Sequence, residues 1–253
     1  MVEPTEPPNN RETSHRISEH AEALTELLVG CVLLGAATLT GLVFLRRPGP
    51  NRLDAIGFGI LPADPTARWA VDIAHLGSFT VLVAGVAVLC AAAAISRNWI
   101  RAVSCLIAPI TAVLIVQIVA KPLVGRHMEG VLSYPSGTVT VTAALVAAAF
   151  LVVPRFARPF AAVTGGGVVA AVCAAVVVLR WHFPTDALGG VYVGAGAVFA
   201  VDGLLLLVRN QPSVRKALAV LRGQSVAGGV DTPEESADSS EAIGERVLQE
   251  VTH

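Results

Sequence analysis

Residues 73–95 read Ile-Ala-His-Leu-Gly-Ser-Phe-Thr-Val-Leu-Val-Ala-Gly-Val-Ala-Val-Leu-Cys-Ala-Ala-Ala-Ala-Ile, without a single Asp, Glu, Lys or Arg. About 20 such residues in helical form cross the roughly 30 Å hydrocarbon core of a bilayer, so this run predicts a membrane span. The rest of the chain agrees with it. Of 253 residues, 54% are apolar and only 15% are charged, against about a quarter charged in an ordinary soluble domain. The formal net charge of −1 hides a segregation into apolar blocks, basic residues at their ends, and an acidic stretch over residues 231–250. That pattern gives no nucleic-acid reading.

Outward from this run, five further apolar segments lie at 27–45, 102–120, 139–153, 161–179 and 187–208. Together the six predict an all-α fold, a six-helix transmembrane bundle over residues 27–208. The segment at 139–153 is short and needs Thr138 and Thr140 at its start. The last two carry Gly165, Gly166, Gly167, Gly190, Gly194 and Gly196, and small residues let helix backbones approach closely in lipid. Residues 1–26 read as a polar N-terminal segment without a cleavable signal, so the first apolar run is expected to be a retained helix. Residues 46–72, with Pro48, Pro50, Pro62 and Pro65, read as a structured loop carrying a short interfacial helix. Residues 209–253 are basic, then acidic, and too poor in large apolar groups to offset chain entropy. A disordered cytoplasmic tail is expected there, with one weak helix at 241–251. Cys31, Cys90, Cys105 and Cys173 all fall in apolar runs without paired spacing and read as buried small hydrophobes.

If all six segments span, one set of termini and connections holds Arg11, Arg16, Arg97, Arg101, Arg155, Arg158, Arg209, Arg215, Lys216 and Arg222. The other holds Arg46, Arg47, Arg52 and Arg68, together with Lys121, Arg126 and Arg180 in two connections rich in polar residues. With these last three set aside, the excess of basic residues places both termini in the cytoplasm. The two polar connections then face outward together.

Those connections hold the candidate chemistry. One runs from Lys121 through Arg126, His127, Glu129 and Pro135-Ser136-Gly137-Thr138; the other reads Arg180-Trp-His182-Phe-Pro-Thr-Asp186. Asp186, four residues after His182, is placed to fix one ring nitrogen and leave the other free to attack phosphorus. Thr185 and Asp186 equally suit a helix start, as N-cap and dipole partner. Lys121 and Arg126 offer cationic donors to a phosphate, and Ser136 with the N–H groups around Gly137 offers an anion cradle. Equally, the two cations suit interfacial snorkelling and Pro135-Ser136-Gly137 a turn.

As a set, these residues resemble the PAP2 (type 2 phosphatidic acid phosphatase and haloperoxidase) superfamily. Its three motifs are Lys-x6-Arg-Pro, Pro-Ser-Gly-His and Ser-Arg-x5-His-x3-Asp. Lys121, Pro135-Ser136-Gly137 and His182-x3-Asp186 match in order, and the likeness covers residues 73–208. It implies His182 as a nucleophile that forms a phosphohistidine and Asp186 as its orienting partner. Lys121, Ser136 and Gly137 are implied phosphate ligands, and the mechanism requires no metal or other cofactor. The implied substrate is a lipid phosphate or an isoprenoid pyrophosphate, presented among membrane lipids.

The chain also departs from the pattern. The first-motif arginine falls on Met128, the second-motif histidine, a general acid, on Thr138, and the third-motif Ser-Arg on Ala175-Val176. Arg126 and Arg180 are the nearest replacements for the cations, and His127, Glu129 and His75 the nearest for the acid. Without an acid, a pyrophosphate suits the site better than an ester, because it releases a stabilised anion. Two functions are therefore expected as alternatives. One is a membrane lipid phosphatase or pyrophosphatase; the other is a PAP2-fold protein that binds a lipid phosphate or a membrane partner without turnover. A small transporter fits less well, since the polar residues gather at one face and not at the midplane. The Ala/Val/Gly/Arg-rich composition suggests a bacterial plasma membrane.

Overall fold

The computed structural model describes residues 10–45, 47, 49–211 and 213–214. The expectations for the extreme N-terminus, for Arg46 and Pro48, and for the tail beyond residue 214 with its weak helix lie outside them. The elements below all belong to the compact unit that ends at Asn210.

Among the described residues the regular structure is helical apart from one hairpin of two two-residue strands. In order the elements are α1 (Asn10–Val43), α2 (Arg52–Ile60), α3 (Arg68–Ala74) with a 3-10 turn His75–Gly77, and α4 (Phe79–Ile95). Then come α5 (Trp99–Leu114), a π-helical stretch Ile115–Ala120, and α6 (Lys121–Val124). Strands β1 (His127–Met128) and β2 (Val131–Leu132) pair antiparallel. The last three helices are α7 (Gly137–Val152), α8 (Arg158–Val178) after a 3-10 turn Arg155–Ala157, and α9 (Pro184–Asn210).

Among the described residues, four helices are long and apolar enough to cross a membrane: Ile17–Val43, Trp99–Val124, Arg155–Val178 and Pro184–Asn210. The pair Arg68–Gly77 and Phe79–Ile95, bent by 48°, meets the same length and hydropathy criterion only when taken together as one broken span. Helix α7 is apolar but has 16 residues, about 24 Å at 1.5 Å per residue, short of the hydrocarbon thickness. It is the segment expected to be short. The chain is a multi-pass membrane protein.

Helix α9 is the centre of the bundle, with α1 on one side and α7 on another. Each contact has a point with no room for a side chain. A Cβ at Gly30 would collide with the backbone of Ala200, and one at Gly194 with the carbonyl of Thr140. Without a hydrophobic driving force between helices in lipid, this backbone-to-backbone contact supplies the dispersion that holds them.

Three expectations are corrected. Helix α1 begins at Asn10, well before the apolar run, because its polar turns are fastened to the rest of the bundle. Arg101, 6% exposed, pairs with Asp202, with Glu26 at 3.0 Å and with Glu22 at 3.4 Å. Arg155 reaches Glu22 at 2.5 Å and Arg209 reaches Glu19 at 3.7 Å. These basic residues gather at the end of the bundle opposite Lys121. The segment before α4 holds two helices, α2 and α3, where one was expected. Of the four cysteines only Cys105 is buried, and Cys31 lies on the exposed face of α1, as an apolar side chain in a span can.

Candidate functional site

His182 sits where α8 ends. Arg180 closes that helix in the left-handed region, with φ 59, and the N–H groups of Trp181 and His182 both donate to the carbonyl of Val176, at 3.0 and 3.3 Å. This folds the chain back sharply enough for α9 to start at Pro184. His182 is thereby turned into a cavity of about 280 Å³ that it lines together with Gln117, Lys121, Gly137 and Thr138, over an apolar wall that includes Leu82, Val113 and Val116. Of the seven residues expected in the site, Lys121, Gly137 and His182 meet in this lining. Lys121 is the one cation among the lining residues.

The other four do not line the cavity. Asp186 is fully buried, with Oδ2 4.0 Å from His182 Nδ1. Nδ1 is itself buried and makes no hydrogen bond among the described residues. The same Oδ2 accepts from the Phe183 N–H at 3.2 Å, so Asp186 faces the ring at ion-pair range without bonding to it. The nitrogen left for the cavity is Nε2. Ser136 is buried as the N-cap of α7, where its Oγ accepts from the Val139 N–H. Its own N–H donates to the Asp186 carbonyl at 3.0 Å, which joins the start of α7 to the start of α9.

Arg126 and Arg180 do not line the cavity. Arg126 is completely buried. One end of its guanidinium donates to Asp186 Oδ1 at 2.6 Å and Thr185 Oγ1 at 2.8 Å, the other to Asp54 Oδ2 at 2.5 Å and the Gly49 carbonyl at 3.2 Å. The rings of Phe44 and Phe183 stand on it, each with its centroid 4.0 Å away. Both terminal nitrogens are thus committed to protein acceptors, and the buried Nε makes no hydrogen bond among the described residues. Arg180 stacks over the Phe58 ring at 3.7 Å. The histidines and the carboxylate weighed as general acids, His75, His127 and Glu129, are all exposed and outside the lining.

Sequence reasoning missed Asp54, the second anchor of Arg126. Asp54 is fully buried on α2 and accepts from the N–H and Oγ1 of Thr185, at 3.0 and 2.7 Å. Burial pushes its carboxyl up, but hydrogen bonds from Asn51, Thr185 and Arg126 outweigh that and hold it below the usual range. Its signal was the spacing Asn51-x-x-Asp54, which forms a reciprocal capping box at the start of α2. Gln117 was also missed, although it is a lone amide inside an apolar run.

The His182 ring is pushed down to about 4 by burial first and the nearby Lys121 ammonium second, with the Ser133 backbone opposing. The imidazole is therefore neutral at neutral pH and its Nε2 lone pair is available. Between about pH 6.5, the ordinary value, and 4 the unfolded chain binds a proton that the folded chain does not. Protonation therefore costs the folded state nothing above that window, and the cost grows as pH falls through it. Melting curves in detergent at pH 7 and pH 4.5 are expected to show lower stability at the acid value, with a smaller difference in His182→Gln.

Residues 121–206, about a third of the chain, match the sequence model of the PAP2 superfamily. Among curated proteins none matches the sequence. A solved structure similar to this chain is that of the first transmembrane PAP2-type phosphatidylglycerolphosphate phosphatase from Bacillus subtilis. It is 20% identical, with 72% of this chain and 95% of that one covered and a TM-score of 0.47.

Proposed function

Taking as premise that residues 121–206 are a PAP2-superfamily region, we propose that the protein is a membrane phosphatase that removes a phosphoryl group from a lipid phosphate or an isoprenoid pyrophosphate through a phosphohistidine on His182. The observation that carries this reading is the convergence of Lys121, the first turn of α7 at Gly137, and His182 on one cavity, with His182 Nδ1 turned to Asp186. In the reaction Nε2 attacks phosphorus, the bond to the departing oxygen breaks with its electron pair, and water then releases inorganic phosphate. Lys121 and the N–H groups of Gly137 and Thr138 hold the phosphoryl oxygens. Asp186, held by Arg126, stabilises the imidazole as positive charge develops on it.

The family's general acid position is Thr138, which lines the cavity and whose hydroxyl is far too weak an acid to protonate an alkoxide. The pyrophosphate is therefore the preferred substrate class, because its departing group needs no proton. The basic residues gathered at the Arg101 end orient that end to the cytoplasm, so the cavity opens at the outer face of the plasma membrane.

The test is phosphate release by purified protein in detergent from a panel of phosphatidic acid, phosphatidylglycerolphosphate and isoprenyl diphosphates. Lys121→Met removes a charge-assisted contact and is expected to raise KM roughly ten- to hundredfold. The acidic limb of kcat/KM is expected between about pH 4 and 5, following His182.

A second reading is favoured by a specific observation: Met128, Thr138 and Val176 stand at three family positions, and Arg126 and Arg180 are engaged elsewhere. Such a protein binds the lipid phosphate and does not turn it over. A retained affinity for the lipid phosphate, weakened by Lys121→Met, with no release from any substrate in the panel, identifies it.

A further inference from the structure

The cavity holds one polar side chain that the three motifs do not account for. Gln117 lies four residues before Lys121, in a span that is otherwise apolar around it. A carboxamide turned to hydrocarbon is costly, so a polar residue at this depth belongs against a polar cavity. The backbone is built to put it there. The helix widens into a π-helical stretch at Ile115–Ala120, a rare conformation that is frequent at functional sites. Gln117 and Lys121 come out on the same side, and both line the cavity with His182.

The position of the amide is specific. A Cβ built on Gly137 would lie 3.1 Å from Gln117 Nε2, so the amide rests against the first residue of α7. The N–H groups of Gly137 and Thr138 belong to that first turn and have no partner within the helix. Gln117 itself makes no hydrogen bond among the described residues. Its amide, the Lys121 ammonium, these two N–H groups and His182 thus border the same space.

We infer that Gln117 is a phosphate-binding residue, which donates from its amide to an oxygen of the phosphoryl group that His182 attacks, where the family pattern relies on arginines. This rests on the phosphatase reading and deepens it. In the step, the Nε2–phosphorus bond forms while the bond to the departing phosphate breaks with its electron pair; Gln117 neither gives nor takes a proton. A neutral donor leaves Lys121 as the cation among the lining residues.

The experiment compares Gln117→Leu, Gln117→Glu and His182→Ala with wild type as full chains in detergent, with phosphate release from an isoprenyl diphosphate and thermal melting as readouts. Both Gln117 variants are expected to melt like wild type and to lose roughly ten- to hundredfold in kcat/KM. Gln117→Glu, similar in shape but repelling phosphate, is expected to lose more. If both keep wild-type kcat/KM while His182→Ala is inactive, the inference falls and the phosphatase reading stands. If Gln117→Leu melts lower and Gln117→Glu is fully active, the side chain is there for packing and the inference also falls. If His182→Ala matches wild type, both fail together.

Discussion

Arg126→Ala is expected to cost about 3–5 kcal/mol of folding stability, the usual penalty for removing one partner of a buried ion pair. Two fully buried carboxylates, Asp54 and Asp186, depend on this one guanidinium. Without it they face each other across a space that also loses its contacts to the Phe44 and Phe183 rings. Arg126→Lys is expected to rescue only part, since an ammonium is a single compact charge and cannot span two carboxylates as the planar fork does. The check is thermal melting in detergent, run beside substrate affinity in whatever fraction stays folded. A variant that melts like wild type but binds the lipid phosphate poorly would put Arg126 in the phosphate pocket after all.

His182→Ala is expected to reduce phosphate release by roughly 10³-fold or more, because it removes the atom to which phosphorus is transferred. It is expected to leave the fold intact, since His182 lines a cavity and its Nδ1 bonds to nothing among the described residues. Asp186→Asn is a different experiment. It removes charge from the Arg126 network as well as from behind the imidazole, so both melting temperature and rate are expected to fall. Near-wild-type rates in His182→Ala, with the variant correctly folded, would remove the nucleophile from the account.

The bundle was legible because span length is written directly in hydropathy: α4, α8 and α9 fall on the apolar runs, and α7 came out as short as its run. The extension of α1 to Asn10 was not. Its polar turns are held by Arg101, Arg155 and Arg209, which lie far along the chain and leave no trace in a local window. In the site, the motifs identified Lys121, Gly137 and His182 as neighbours. They misled for Arg126, which sits near the first motif as a phosphate ligand would. What decides its role is Asp54, 72 residues upstream, and a buried ion pair of that separation cannot be read from spacing. Gln117 escaped for a related reason, since its position depends on the local widening of the helix.

The proposed function depends on phosphoryl transfer to His182. Its most direct measurement is rapid quenching of turnover with an isoprenyl diphosphate labelled with ³²P at its terminal phosphate, followed by location of the label in the protein. The expected result is an acid-labile, alkali-stable label on the peptide that contains His182, and none in His182→Ala. Phosphate release without labelled protein, or a label on any other residue, would contradict it.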